Sequence, residues 1–252
     1  MRLPRSFLRP IAHRGLHDAG RGLIENTGPA FAAAIAQGYG IECDLRPAAG
    51  GLPIVFHDET LERLVDGRGP VSALRAAELM GLRYRGQDTA ILTYAALLDL
   101  VAGRVPLLVE VKSEWEPPEM AFLGEIARLA AAYDGPLALM SFDPAVMAAL
   151  KDLAPSIPRG IVSGGYRYED GSFWWPTKID ADRALRLANL DESGPAEPDF
   201  YAYHVKSLPQ PVTELQRKVF GLPLFTWTVR SPEDRAIAAR WADAPIFEGF
   251  EP

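Results

Sequence analysis

Short apolar runs alternate with longer helical patterns along the whole chain, and this alternation constrains the fold more than any other feature. Candidate strands are Leu8–His13, Ile41–Leu45, Val105–Val111, Leu137–Phe142, Arg159–Val162, Phe200–Tyr203, Leu222–Val229 and Pro245–Glu248. Candidate helices lie between them at Thr27–Gln37, Tyr94–Ala102, Glu119–Tyr133, Pro144–Leu153, Asp180–Asn189, Val212–Phe220 and Pro232–Ala239. Thr93, Asp143 and Ser231 stand where N-caps are expected, and Pro144 and Pro232 then take the first helical position. Gly38, Gly103, Gly135 and Gly221 follow helix ends, each shortly before a strand. Strands that alternate with helices across short turns call for a parallel sheet covered by helices. Eight such repeats in 252 residues favour one closed (β/α)₈ TIM barrel over the open doubly wound sheet, since such barrels run to about 250 residues.

Two segments break the rhythm. Residues 46–92 are too long for one strand-to-helix turn. They open with Arg46-Pro47-Ala48-Ala49-Gly50-Gly51-Leu52, which reads as a hairpin turn, and return through Pro53-Ile54-Val55-Phe56-His57-Asp58. A small insertion over the barrel mouth is expected there, within one domain spanning 1–252. Gly164–Lys178, rich in Gly, Tyr and Trp, reads as an ordered loop at the same end. Its Tyr166, Phe173, Trp174 and Trp175 form either an apolar rim or a packed lid.

Composition excludes several partners. Lys and Arg number 26 against 33 Asp and Glu, a formal charge of −7, so the average surface repels nucleic acid and anionic membranes. The single cysteine, Cys43, rules out an internal disulfide and a multi-thiolate zinc site. Met1–Pro10 is basic but lacks the apolar stretch of a signal peptide, and no later window approaches the roughly 18 apolar residues of a spanning helix. A soluble, cytoplasmic chain without a stable membrane anchor is expected. Its oligomeric state is not legible.

Active sites of such barrels sit at the C-terminal ends of the strands, so the informative residues are the polar ones that end strands. The first strand ends in His13-Arg14-Gly15, the second carries Glu42-Cys43-Asp44, and the third carries Glu110-Val111-Lys112. Strand side chains alternate faces, which puts Glu42 and Asp44 on one face and Cys43 on the other. Glu110 and Lys112 share a face likewise. Three carboxylates inside a barrel mouth repel one another unless a positive group neutralises them. Lys112 and Arg14 supply part of that, and a hard divalent cation such as Mg²⁺ or Ca²⁺ would suit the all-oxygen set. The competing reading is a salt-bridge network that closes the barrel end.

Of the four histidines, His13 ends a strand and His57 ends the returning arm of the hairpin, so both reach the mouth. Two imidazoles beside a carboxylate-bound cation are apparatus for splitting a phosphoester: one takes a proton from the nucleophile and the other gives one to the leaving alkoxide. Arg14 and Lys112 are suited to holding the phosphate. His17 lies in the first loop, as a rim contact or exposed. His204 ends a strand, as a substrate contact or a structural group. No H-E-x-x-H or H-x-H spacing points to zinc.

These residues, read with Glu25-Asn26-Thr27, Ala30-Phe31, Gly51-Leu52-Pro53-Ile54-Val55-Phe56-His57-Asp58, Leu61-Glu62-Arg63, Ser141-Phe142-Asp143 and Trp227-Thr228-Val229, resemble the glycerophosphodiester phosphodiesterase family. The resemblance is dense over residues 11–63 and recurs in islands to about residue 229. It implies a TIM barrel with an insertion after the second strand and one Mg²⁺ or Ca²⁺ on Glu42, Asp44 and Glu110. It also implies His13 and His57 as the acid–base pair, Arg14 and Lys112 on the phosphate, Glu25 and Asn26 organising the mouth, and Trp227 beside the glycerol. The implied activity is hydrolysis of glycerophosphodiesters to sn-glycerol 3-phosphate and an alcohol. Its rivals are a lysophospholipase D-like activity on lipid substrates, enolate or sugar-acid chemistry at the same carboxylates, and a non-catalytic phosphate-ester binding protein. The chain departs from the family pattern at its C-terminus, where Ala244-Pro245-Ile246-Phe247-Glu248-Gly249-Phe250-Glu251-Pro252 replaces a strand ending in Thr-Asp. That departure puts a substrate contact from the last strand in doubt.

Overall fold

The structure is a computed structural model that describes residues 3–252 apart from Glu169 and Pro176. In chain order the elements are β1 (Ile11–Ala12), α1 (Gly28–Ala36), β2 (Gly40–Pro47), β3 (Pro53–Val55), α2 (Ala76–Gly81), β4 (Leu92–Thr93), α3 (Tyr94–Val101), β5 (Leu107–Val111) and α4 (Met120–Ala132). They continue as β6 (Leu137–Ser141), α5 (Pro144–Leu153), β7 (Arg159–Ser163), α6 (Ala181–Ala188), β8 (Phe200–His204), α7 (Pro211–Leu215), β9 (Leu224–Val229), α8 (Pro232–Trp241) and β10 (Ala244–Phe247). Parallel pairing runs β1-β2-β5-β6-β7-β8-β9-β10 and returns to β1. The sheet is therefore a closed eight-stranded barrel, and the open alternative falls.

Two apolar layers follow from the alternation of strand side chains. Outward residues such as Ile41, Cys43, Val109 and Leu139 pack beneath the helices with Phe31, Leu97 and Ile126. Inward residues Ile11, Leu108, Met140, Val162, Phe200 and Phe225 fill the barrel. Gly160 on β7 makes room for this filling: a Cβ there would sit 2.2 Å from the Phe200 ring. Phe7, fully buried, closes the barrel from below on a 3₁₀ turn, Arg5–Phe7.

That plug corrects the expected first strand. Leu8–His13 contracts to Ile11–Ala12, because Pro10 has no N–H for the ladder and Leu8 is turned outward. The helix expected at Val212–Phe220 is likewise shorter. It is α-helical over Pro211–Leu215, then winds as a π turn over Gln216–Phe220 and stops at Gly221 in the left-handed region. The insertion lies where expected. Gly50 and Gly51, at φ 86° and 83°, turn the chain so that β3 runs antiparallel to β2. Ile54, Phe56, Leu61, Val65, Leu79 and Tyr84 give the insertion its own core. No helix among the described residues is long and apolar enough to cross a membrane.

Candidate active site

The C-terminal mouth of the barrel gathers the residues that the strand alternation singles out. Asp44 on β2 stands in register with Glu110 on β5, and Glu42 lies one inward position below Asp44. Ligand oxygens of Glu42, Asp44 and Glu110 lie within 4.8 Å of one another, and all three side chains are buried. The Lys112 ammonium sits 2.7 Å from Asp44 Oδ1 and 2.5 Å from Glu110 Oε1. Arg14 Nε lies 3.4 Å from Asp44 Oδ2.

The loop after β1 is bent to serve this cluster. Arg14 and Asn26 both hold positive φ, 54° and 57°, and the Asn26 N–H donates to the Arg14 carbonyl at 2.9 Å. Asparagine tolerates that region better than most residues. The Arg14 N–H donates to Glu42 Oε2 at 2.9 Å, and the Asn26 amide donates to Asp44 Oδ2 at 2.8 Å. Glu42 Oε1 receives no hydrogen bond from the described residues. Burial, followed by the Asp44 and Glu110 charges, pushes the pKa of Glu42 well above the ordinary carboxylate value. Burial acts the same way on Asp44, but Lys112, His57 and Arg14 outweigh it and hold that carboxyl well below its usual range.

Three carboxylates against two cations leave a surplus negative charge, with a buried oxygen unbonded. Unpaired buried charge is costly, so the donor set fits a hard divalent cation. Salt bridges to Lys112 and Arg14 account for Asp44 and Glu110, whereas Glu42 has only the Arg14 N–H and, at 3.9 Å, the His13 ring.

Each imidazole is oriented by a carboxylate. His13 follows β1, and its Nδ1 lies 2.5 Å from Glu248 Oε2 while its Nε2 is 3.9 Å from Glu42 Oε2. Burial lowers the His13 pKa despite the opposing bond to Glu248. His57 follows β3, with Nδ1 2.8 Å from Asp58 Oδ1. Arg63 fixes Asp58 through contacts of 2.5 and 2.9 Å and also grips Glu25 at 2.7 and 2.9 Å. Glu25 in turn accepts from Arg14 at 2.8 Å. This chain of ion pairs ties the β1 loop to the insertion. With both Nδ1 atoms engaged, both Nε2 atoms are left to the site.

A cavity of about 920 Å³ opens over these groups. Met140, Val162 and Ile246 line its depth, and Phe142, Trp174 and Trp227 form an aromatic wall. The Trp227 indole N–H donates to the Ala202 carbonyl at 3.1 Å, which locks the ring against Phe142, His204 and Trp174, with centroids 5.2, 5.0 and 5.7 Å away. Burial, aided by Arg230 and Lys206, lowers the His204 pKa to about 4, with Asp234 opposing. Tyr166 is buried with Ile179 and Leu187, so the aromatic loop is packed at its base and presents Trp174 and Trp175 to the cavity. Glu169 and Pro176 of that loop lie outside the described residues.

The mouth brings together His13, Arg14, Glu42, His57, Glu110, Lys112, His204 and Trp227, with Asp44 against Lys112 and with Glu25 and Asn26 in the loop beside it. His17 is turned from the large cavity into a second one of about 390 Å³. Sequence reasoning missed Glu248. The last strand does reach the site: Glu248 directly follows β10, and its carboxylate holds His13 on one side and Arg230 at 2.6 Å on the other. Burial opposes its ionisation, but bonds from His13, His17 and Arg230 hold its pKa far below the usual range. The signal was available, as a polar residue closing a strand.

The closed barrel and a family match over nearly its whole length make the chain a TIM-barrel hydrolase of phosphoric diesters. The glycerophosphoryl diester phosphodiesterase family model matches residues 13–247, and the chain belongs to that family. It is 28% identical over 258 residues to "Probable glycerophosphodiester phosphodiesterase 1" of Mycobacterium tuberculosis, covering 92% of this chain and 86% of that protein. Among solved structures it resembles an Oleispira antarctica phosphodiesterase in complex with its product sn-glycerol-3-phosphate, with a TM-score of 0.73 and 22% identity over 97% of this chain and 93% of that one. A Thermotoga maritima glycerophosphodiester phosphodiesterase shares the fold with a TM-score of 0.68 and 20% identity over 95% and 93% of the two chains.

Proposed function

We propose that this enzyme hydrolyses glycerophosphodiesters to sn-glycerol 3-phosphate and an alcohol, with Glu42, Asp44 and Glu110 holding one Mg²⁺ or Ca²⁺. The observation that carries the reading is the pair of imidazoles, each with Nδ1 on a carboxylate, beside a buried carboxylate trio that retains an unbonded oxygen. The ion, when bound, supplies positive charge that neutralises phosphoryl oxygens.

The chain's own groups do the rest. Arg14 and Lys112 hold the phosphate by charge-assisted hydrogen bonds. One of His13 and His57 accepts at Nε2 the proton of the attacking water or substrate hydroxyl, and the other donates from Nε2 to the departing alkoxide. A cyclic phosphate formed by the substrate hydroxyl is then opened by water. Glu248 and Asp58 keep each ring in the tautomer that leaves Nε2 working. Glu25 and Asn26 hold Arg14 and Asp44 in place, and the locked Trp227 ring flanks the glycerol. The relatives' named activity supports this choice of diester.

The aromatic wall of Phe142, Trp174 and Trp175 favours a second reading, in which the alcohol carries a lipid chain. A cytoplasmic setting fits the acidic composition and the lone buried cysteine. Incubation with glycerophosphocholine or lysophosphatidylcholine, in Mg²⁺, in Ca²⁺ and in chelator, tests the proposal. Release of glycerol 3-phosphate only with a cation is expected. Binding without turnover of any diester would make the chain a phosphate-ester binding protein instead.

A further inference from the structure

We propose that His13, His17 and Glu248 form a second cation site, specific for a borderline-soft divalent ion of the zinc class, and that filling it arrests the enzyme. The site part stands on geometry. The arrest rests on the role proposed for His13.

Ligand atoms of the three residues lie within 4.8 Å of one another. Glu248 Oε2 is their hub, 2.5 Å from His13 Nδ1 and 3.4 Å from His17 Nε2. Zinc bonds of about 2.0–2.2 Å in tetrahedral geometry place neighbouring ligand atoms about 3.4 Å apart. Of the three edges, Glu248–His17 already has that length, Glu248–His13 widens by rotation of Glu248, and the His13 and His17 ligand atoms lie within 4.8 Å of each other. The Arg230 guanidinium occupies the opposite oxygen, Oε1, at 2.6 Å, and leaves Oε2 to the two rings. Arg230 and Arg21, the latter 3.9 Å from Glu251, oppose a cation, whereas Asp18 and Glu251, which line the same small cavity, favour one. That cavity, about 390 Å³, opens directly on His17 and Glu248 and offers a fourth position to water. Two imidazoles and one carboxylate differ from the three-oxygen set of Glu42, Asp44 and Glu110. Mg²⁺ and Ca²⁺ prefer the second set, and zinc-class ions the first.

Occupation has a consequence that does not depend on which histidine is the acid. Coordination at His13 Nδ1 needs that nitrogen bare. An imidazolium releases its Nδ1 proton to solvent, whereas a neutral ring shifts its single proton through solvent from Nδ1 to Nε2, so in either case the one proton left on the ring sits on Nε2. Acid or base, His13 must cycle Nε2 between protonated and bare states. With Nδ1 on a metal the bare state is an imidazolate, which turnover near neutral pH does not reach. The ion therefore stops the reaction without touching the carboxylate trio.

Calorimetric titration of Mg²⁺-saturated protein with ZnCl₂ tests the site, using wild type, His17→Ala and His17→Gln. One zinc per chain is expected in wild type, with affinity lowered more than about tenfold in both variants, the least that losing a direct ligand should cost. Glycerophosphocholine hydrolysis, each variant compared with its own zinc-free rate, tests the arrest. Inhibition that excess Mg²⁺ does not relieve, and that both variants escape, is expected. Absence of zinc binding at saturating Mg²⁺, or equal affinity in the His17 variants, overturns the site. Inhibition reversed by Mg²⁺ also overturns it, because the ion is then competing at the trio. Zinc bound through His17 without inhibition overturns the arrest and the His13 role while leaving the site standing.

Discussion

Replacement of Glu42 by Gln separates a cation-binding trio from a structural salt-bridge network. Glu42 faces Asp44 and Glu110 with ligand oxygens no more than 4.8 Å apart. At an effective dielectric constant of about 20, two unit charges at that distance repel by about 3 kcal/mol. Two such pairs are offset in part by Lys112 and Arg14, which leaves a net relief of about 2 kcal/mol when the Glu42 charge is removed. The amide oxygen of Gln still accepts the Arg14 N–H, and its NH2 replaces the unbonded Oε1 and faces the Asp44 and Glu110 carboxylates as acceptors. For a chain of this size the metal-free variant should melt about 4–8 °C above the metal-free wild type. Mg²⁺ at about 100 times its dissociation constant should stabilise wild type by about 2.7 kcal/mol, and the variant by far less. Differential scanning calorimetry in chelator and in Mg²⁺ provides the assay, run over a series of rising pH values, since burial and the Asp44 and Glu110 charges raise the Glu42 pKa and the relief grows as Glu42 ionises. A variant that melts below wild type in chelator, and that keeps the full Mg²⁺ shift, would refute the cation reading and favour the network.

Other consequences are equally direct. His13→Ala and His57→Ala should each lower kcat by about 10²–10⁴-fold with little change in melting temperature, and a rate near wild type from either would remove that residue from acid–base work. Glu248→Gln should lower kcat at least about tenfold with KM unchanged, and Glu248→Asp should recover part; equal rates in all three proteins would reduce Glu248 to a bystander. His204, with its pKa lowered to about 4, favours the native state in its neutral form. Its contribution of about 2–3 kcal/mol is present above pH ~6.5 and is lost as pH falls toward 4, after discounting for partial exposure. Chemical denaturation at the two ends of that window should show a smaller loss in His204→Gln, and an equal loss would assign the acid sensitivity elsewhere.

The barrel was legible because each strand carries its own punctuation. Thr93, Asp143 and Ser231 cap helices as expected, and each side chain accepts a backbone N–H there. The carboxylate trio was legible from alternation alone, since Glu42 and Asp44 can only share a face with Cys43 opposed. Contacts made by folding across long separations were not. Phe7 beneath the barrel, and Arg63 reaching Glu25 across 38 residues, leave no local pattern. Glu248 was obscured differently: comparison with the usual Thr-Asp ending drew attention to what the strand lacks. The rule that polar residues end functional strands already pointed to it.

A crystal structure with Mn²⁺ and sn-glycerol 3-phosphate, read by anomalous scattering, tests the central claim most directly. The account predicts one anomalous peak bonded to Glu42, Asp44, Glu110 and a phosphate oxygen, with the Nε2 atoms of His13 and His57 on opposite sides of the phosphorus. Phosphate bound away from both rings, or a trio that stays empty while Lys112 and Arg14 keep their pairs, would contradict it.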